Sequence, residues 1–406
     1  MTDITFQDIQ DAAKALDGHA VATPTIPAPL LSESCGCTLF LKLENLQYTS
    51  SFKARGAYLA IQRLSEEQRS RGVITMSAGN HAQAVAFRAT ESGIKSRIYM
   101  PEQTPFSKIA RTQNFGGEVI LHGRSLNECE PNVQAEIDKY GYSLVHPYDD
   151  RNVVCGQGTV GLEILDAVPD LDCLVIPVGG GGLFSGIAIA AKAINPNIRI
   201  YGVESNLYPS MSQAIAGEPN SCGGETLAEG IAVKSPGALT RPIVESHAEA
   251  ILLVDELSLE WAVGALAEQQ RIIAEGAGAA GIAAIHAHRA LFKGKRVGTV
   301  ICGGNIDTRL LGSILTRNMV SDGRLARLRI EISDEPGMLA SIASAISGEG
   351  GNVVEVYHQR LFYNVPAKLA KIDVVVDTRG ADHVVRIIKA LESRNFRVSQ
   401  LDEQSD

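Results

Sequence analysis

Leu174-Val175-Ile176-Pro177-Val178-Gly179-Gly180-Gly181-Gly182-Leu183 is a short apolar run that ends in four consecutive glycines. A β-branched run of this length, then glycine, then a helical pattern, reads as strand, loop, helix. The signature recurs on either side. Val73-Ile74-Thr75 leads into Ser77-Ala78-Gly79-Asn80-His81, and Val297 to Ile301 leads into Gly303-Gly304-Asn305. Repeated in this way, it predicts a parallel α/β architecture with ligands at the carboxyl ends of the strands.

Near residue 325 the pattern changes. Leu328-Arg329-Ile330-Glu331-Ile332 alternates strictly, as a half-buried strand does. Asp334-Glu335-Pro336-Gly337 is a turn, and Met338 to Ser347 a helix stopped by Gly348, Gly350, Gly351 and Asn352. Strands follow over Val353 to Leu361 and Leu369 to Val376, then a helix over Val384 to Leu391 and a strand over Phe396 to Leu401. The order is βαββαβ, helices on an antiparallel sheet. Polar Met319 to Arg327 is the expected linker. The expected domains are 1–320, with a smaller subdomain at about 48–155 inserted in the larger one, and 326–406.

The 406 residues are 45% hydrophobic and 20% charged, an ordinary globular mixture. A net charge of -9 argues against a nucleic-acid partner, which needs a basic face. No apolar run reaches the length of a membrane span. The N-terminal stretch reads as an amphipathic helix rather than a signal peptide. Seven scattered cysteines predict reduced thiols and a cytoplasmic enzyme. Cys35-Gly36-Cys37 has no partner pair for zinc.

Three segments carry chemistry. Ser51-Phe52-Lys53-Ala54-Arg55-Gly56-Ala57 places a lysine early in a helix beside an aromatic ring. Alone it reads as a solvated lysine, but a helix N-terminus and apolar neighbours lower a lysine pKa and make it nucleophilic. Gly179 to Gly182 let successive backbone N–H groups point into one space, which at a helix N-terminus holds a phosphate. The segment lacks both the G-x-G-x-x-G spacing and the G-K-[ST] of a P-loop. Ser77 to His81 open a helix whose N–H groups can receive a carboxylate, and Asn80 offers a neutral hydrogen bond. His81 by itself reads as a helix-start residue.

Together, SFKARGA, SAGNHAQAVAF, the GGGGL loop and ICGGNID resemble the fold-type-II pyridoxal-phosphate enzymes. Within these the chain resembles the serine/threonine dehydratase family over roughly residues 5 to 320. The C-terminal unit, opened by Asp334-Glu335-Pro336-Gly337-Met338-Leu339, resembles an ACT domain. The resemblance implies two open parallel-sheet α/β subdomains plus an ACT-like βαββαβ domain. It implies that Lys53 carries the cofactor as a Schiff base, with Phe52 lining its ring and Asn80 bonding its phenolic oxygen. Gly179, Gly180, Gly181, Gly182 and Leu183 hold the phosphate. Ser77, Ala78, Gly79, Asn80 and His81 hold the substrate carboxylate. Cys302 stands where the family often has a serine near the pyridine nitrogen, a weaker but equally neutral partner that makes a milder electron sink.

The implied reaction is β-elimination of water from L-threonine, giving 2-oxobutanoate and ammonia, and from L-serine, giving pyruvate. Lys53 is the base for the α-proton, and the cofactor phosphate assists the leaving hydroxyl. Related serine racemases carry a second serine where this chain has Ala78, which has no proton to give and so favours elimination. Glu204, Glu229 and Glu275 are candidate ligands for a monovalent or divalent cation. The ACT resemblance implies an amino-acid effector, isoleucine or valine, near Asp334, Gly337 and Asn352, and a homo-oligomer, with a tetramer expected. β-Replacement, threonine synthase chemistry and a non-catalytic amino-acid sensor are the competing readings.

Overall fold

The computed structural model describes residues 4–359 and 369–401. They form two compact units, 1–307 and 308–406. The first unit holds two sheets. Its larger sheet contains β1 (Thr25–Pro27), β2 (Thr38–Lys42), β7 (Cys173–Pro177), β8 (Arg199–Ser205), β9 (Ala250–Val254) and β10 (Arg296–Val300), in the order β1-β2-β10-β7-β8-β9. Only β1 runs antiparallel. The smaller sheet, all parallel, contains β3 (Val73–Met76), β4 (Ser96–Met100), β5 (Glu118–Leu121) and β6 (Ser143–Leu144), in the order β5-β4-β3-β6.

Burial explains the sequence pattern. Every residue of β7 is buried, as a strand covered on both faces requires. The helix Gly276–Ala287 is almost wholly Gly, Ala and Ile and is buried over its first ten residues, so it packs close to the sheet. A Cβ at Gly281 would lie 2.0 Å from Thr299 Oγ1. The helix Lys53–Gln62 crosses Arg151–Ala167 equally closely, since a Cβ at Gly156 would lie 2.7 Å from Gly56 Cα. That contact seats Lys53.

The three glycine-bearing loops predicted from sequence follow β3, β7 and β10, and so leave the carboxyl ends of parallel strands. In the larger sheet β10 and β7 are neighbours although far apart in sequence, and crevices at such order reversals are where open α/β sheets bind ligands.

The second unit contains β11 (Leu325–Ser333), β12 (Asn352–Gln359), β13 (Leu369–Asp377) and β14 (Arg397–Gln400) in an antiparallel sheet ordered β12-β13-β11-β14. The helices Met338–Gly348 and Ala381–Glu392 complete the βαββαβ order. Leu328, Ile330 and Ile332 enter the core with Ile342, Ile346, Ile372, Val374 and Ile387. Residues 319–327 are only partly irregular: they hold the end of the helix Thr308–Ser321 and the start of β11. The expected strand end at Arg360 and Leu361 lies outside the described residues. Gly337 has φ +95° at the start of its helix, and Asp334 and Asn352 are exposed. No helix among the described residues is long and apolar enough to cross a membrane.

Candidate active site

Lys53 begins its helix on a segment tied to the loop after β10. Phe52 N–H donates to Cys302 O (3.1 Å), Gly304 N–H to Ser50 O (2.9 Å), and Ser51 bridges Gly303. Lys53 Nζ donates to Pro147 O at 2.6 Å and lies 5.1 Å from the Phe52 ring centroid. Burial pushes the amine down to about 8, against the opposite pull of Cys302 and Glu275.

Tyr148, next to Pro147, lays its ring on the glycine loop. A Cβ at Gly180 would lie 2.2 Å from Tyr148 Cγ, and one at Gly182 3.1 Å from its Cα and Cβ. Gly181 has φ +91°, a conformation that L side chains rarely adopt, as it starts the helix Gly182–Ile194. Among the described residues, no protein acceptor faces the N–H groups of Gly179 through Leu183. Such an array of free donors at a helix N-terminus suits a phosphate.

The loop after β3 makes a second such site. Ser77 N–H donates to Tyr99 O (3.1 Å) and Gly79 N–H to Ser77 Oγ (3.3 Å). The N–H groups of Ala78, Asn80 and His81 face no protein acceptor among the described residues. Their helix, Asn80–Glu91, points its N-terminus at this space. The His81 ring does not join them. It is buried, its Nε2 meets Val145 O at 2.8 Å, and burial with nearby Lys53 pushes it down to about 3. It is neutral, held through Nε2, while its Nδ1 is buried without a partner.

Asn80 Nδ2 donates to Glu275 Oε1 at 2.6 Å, and Asn80 Oδ1 accepts from Asn305 Nδ2 at 2.7 Å. Burial pushes Glu275 up to about 7, opposed by the Asn80 hydrogen bond. Cys302 is buried, with Sγ 3.4 Å from Ala277 O, and burial pushes its thiol upward, so it is neutral. Glu229 pairs with Lys108. Glu204 is buried elsewhere, accepting from the N–H groups of Met211 (2.7 Å) and Ser212 (3.0 Å). No group of three His, Cys, Asp or Glu side chains placed for a metal occurs among the described residues.

These groups fit pyridoxal phosphate. There is an amine of depressed pKa, a donor-only cradle too tight for side chains, a neutral thiol and a neutral amide. The hydroxyls of Ser51 and Thr49 are buried without partners on the same segment. Sequence reasoning did not find Tyr148, Lys108 or Arg111, and assigned Asn305 no role. Asn305 does stand in the quoted ICGGNID stretch, whereas nothing local marks the other three.

A protein family described as pyridoxal-phosphate dependent enzyme matches residues 16–303. An L-threonine ammonia-lyase of Thermotoga maritima is 41% identical over 403 residues, covering 97% of this chain and 99% of that one. Among solved structures, the processed form of threonine deaminase isoform 2 from Solanum lycopersicum superposes with a TM-score of 0.73 at 33% identity, covering 78% of this chain and 88% of that one. A serine racemase from Dictyostelium discoideum gives 0.69 at 35% identity, covering 75% and 99%.

Proposed function

The chain belongs to the pyridoxal-phosphate-dependent enzyme family, and from that premise we propose that it deaminates L-threonine to 2-oxobutanoate and ammonia, and L-serine to pyruvate. When bound, the cofactor supplies an electron sink beside the α-carbon of the amino acid. The chain supplies the rest.

Lys53 Nζ is the attachment point. Its amine, when free, would take the α-proton of the amino acid as general base, a task suited to its depressed pKa. The free N–H groups at the Asn80 helix hold the substrate carboxylate, and those of Gly179 to Leu183 hold the cofactor phosphate. Phe52 lines the cofactor ring. Asn80 and Cys302 are its neutral hydrogen-bond partners, and neither adds a positive charge that would deepen the electron sink. Ala78 has no proton to return to the α-carbon, which favours elimination over racemisation. Glu229 and Glu275 already have partners in Lys108 and Asn80, so neither is a ready cation ligand.

The observation that carries this reading is one depressed lysine beside two helix N-termini with unused donors, in a chain 41% identical to an L-threonine ammonia-lyase. It is tested by 2-oxo acid release from L-threonine and L-serine. Pyruvate from O-acetylserine and sulfide would not discriminate, whereas cysteine formed from that pair without 2-oxo acid from threonine would move the reaction to β-replacement.

The βαββαβ unit supports a regulatory reading: an ACT-like domain, 326–406, binds isoleucine or valine near Asp334, Gly337 and Asn352 and shifts the activity of a homotetramer. Differential affinity for two states is what this requires. Titration calorimetry of the full chain with either amino acid tests it, and absence of binding removes it. Seven unpaired cysteines, six of them buried, are in keeping with a cytoplasmic enzyme.

A further inference from the structure

Asn305, on the loop after β10, uses every polar atom of its side chain. One Nδ2 hydrogen goes to Thr49 O at 2.8 Å and the other to Asn80 Oδ1 at 2.7 Å. Its Oδ1 accepts from Arg111 Nη1 at 2.6 Å. Its backbone N–H also donates to the Glu275 carboxylate. Asn305 therefore touches both members of the Asn80–Glu275 pair. Arg111 comes from the helix Phe106–Asn114, which lies between β4 and β5 of the smaller sheet.

An amide side chain has an oxygen and an NH2 group of nearly equal size, so its neighbours decide which way it points. Here the ends of the chain of bonds are unambiguous. A guanidinium can only donate, and a backbone carbonyl can only accept. Arg111 thus fixes Asn305 Oδ1, and Thr49 O fixes Asn305 Nδ2. Asn305 must then donate to Asn80, which presents Oδ1 to it and NH2 to Glu275. The polarity runs in one direction: Arg111, Asn305, Asn80, Glu275.

We propose that Asn305 is a positioning residue that sets the orientation of the Asn80 amide, with Arg111 as its anchor from the smaller sheet's layer. This arrangement turns the NH2 group of Asn80 toward Glu275 and leaves its second hydrogen for a bound group. The proposal rests on the cofactor lying beside Asn80, and not on which amino acid is turned over. Glu275 is the group that senses the orientation. Lys53, Cys302, Lys108 and Glu229 also face it, and their positions do not depend on the Asn80 amide.

The decisive variant is Asn305→Asp, which keeps the shape and loses the donor. With two acceptor oxygens at position 305, Asn80 must turn its amide over to donate to one of them. Asn80 Oδ1 then faces Glu275 Oε1, oxygen to oxygen, which favours the protonated carboxyl. The measurement is the visible absorption of the holoenzyme between pH 5.5 and 9, with thermal melting to confirm folding. In the wild type the band titrates with Glu275. In Asn305→Asp its midpoint moves up by about one pH unit or more, and by clearly less when the same change is made in Asn80→Ala, where the added negative charge acts but there is no amide to turn. Adding Glu275→Gln to Asn305→Asp abolishes the titration, because glutamine can donate to the turned amide and cannot ionise. Arg111→Met, at an exposed side chain, moves the midpoint in the same direction by less. A midpoint in Asn305→Asp within a few tenths of the wild type overturns the proposal, as does a shift that survives Glu275→Gln. If Asn305→Asp does not fold, an unmoved midpoint in Arg111→Met overturns it. A wild type that shows no visible band with added cofactor refutes the site itself, a distinguishable failure.

Discussion

Replacing Arg55 with methionine tests how the Lys53 helix is held. Arg55 is 1% exposed, two residues beyond Lys53. Its Nε and Nη2 grip Glu44 at 2.8 and 2.7 Å, and Nη1 and Nη2 grip Glu163 at 2.5 and 2.8 Å. Thr159 Oγ1 takes the fifth N–H, from Nη1 at 3.1 Å, and Val21 O shares an Nη2 hydrogen at 3.2 Å. Lys42 completes the cluster, 2.5 Å from Glu163. Two cations meet two carboxylates, so the wild-type cluster is neutral. Arg55→Met leaves one negative charge in excess, and among the described residues the fully buried Glu44 keeps only Thr23 as a side-chain donor. Breaking a buried pair in this way costs about 3–5 kcal/mol, a large part of the stability of an ordinary domain. Urea unfolding followed by circular dichroism reads the loss. Adding Glu44→Gln removes the stranded charge, so the double variant is more stable than Arg55→Met by at least about 1 kcal/mol, a coupling that a double-mutant cycle isolates. A loss below about 1 kcal/mol for Arg55→Met, or strictly additive effects of the two changes, would refute the reasoning.

Three further outcomes are expected. Capture of pyridoxal phosphate by the apoenzyme needs the neutral amine of Lys53. With its pKa pushed down to about 8, the capture rate rises with pH and levels off above that value, whereas an unperturbed lysine would still be rising at pH 10; stopped-flow absorbance distinguishes these. His81 has a folded pKa of about 3, below its unfolded value. The unfolded chain therefore binds a proton first, and stability is present above about pH 6.5 and lost as pH falls, by roughly 2 kcal/mol at pH 5. His81→Gln, whose amide can still reach Val145 O, lacks that component, and melting temperature against pH reads the difference. Gly180→Ala drives a methyl group into the Tyr148 ring and lowers stability by about 1–3 kcal/mol. It also weakens cofactor binding in a fluorescence titration, and unchanged binding would show that the ring does not define the cradle.

The sequence made legible whatever depends on local order. Four glycines after an apolar strand announced the cradle, and strict alternation at Leu328 to Ile332 announced the antiparallel sheet of the second unit. What it could not show depends on contacts between distant segments. Tyr148 lies on Gly180 and donates its hydroxyl to Ser235 O at 2.9 Å, a link across 87 positions. Arg111 reaches Asn305 across 194. Arg55 looked like part of a lysine motif, and only its three-dimensional neighbours Glu44, Thr159 and Glu163 reveal it as a buried anchor. His81 shows the converse. Its place in the loop suggested contact with a ligand, but its ring turns inward because Val145 O offers a buried partner. Only the fold decides between those two directions.

The most direct test of the account is 2-oxo acid release from L-threonine by the wild type and by Lys53→Ala, with the visible absorption spectrum of each in the presence of pyridoxal phosphate. The account predicts 2-oxobutanoate and a visible band from the wild type, and loss of both in the variant. A variant that keeps the band or the activity would contradict the placement of the chemistry on Lys53, and a wild type with the band but no 2-oxobutanoate or pyruvate would contradict the proposed reaction.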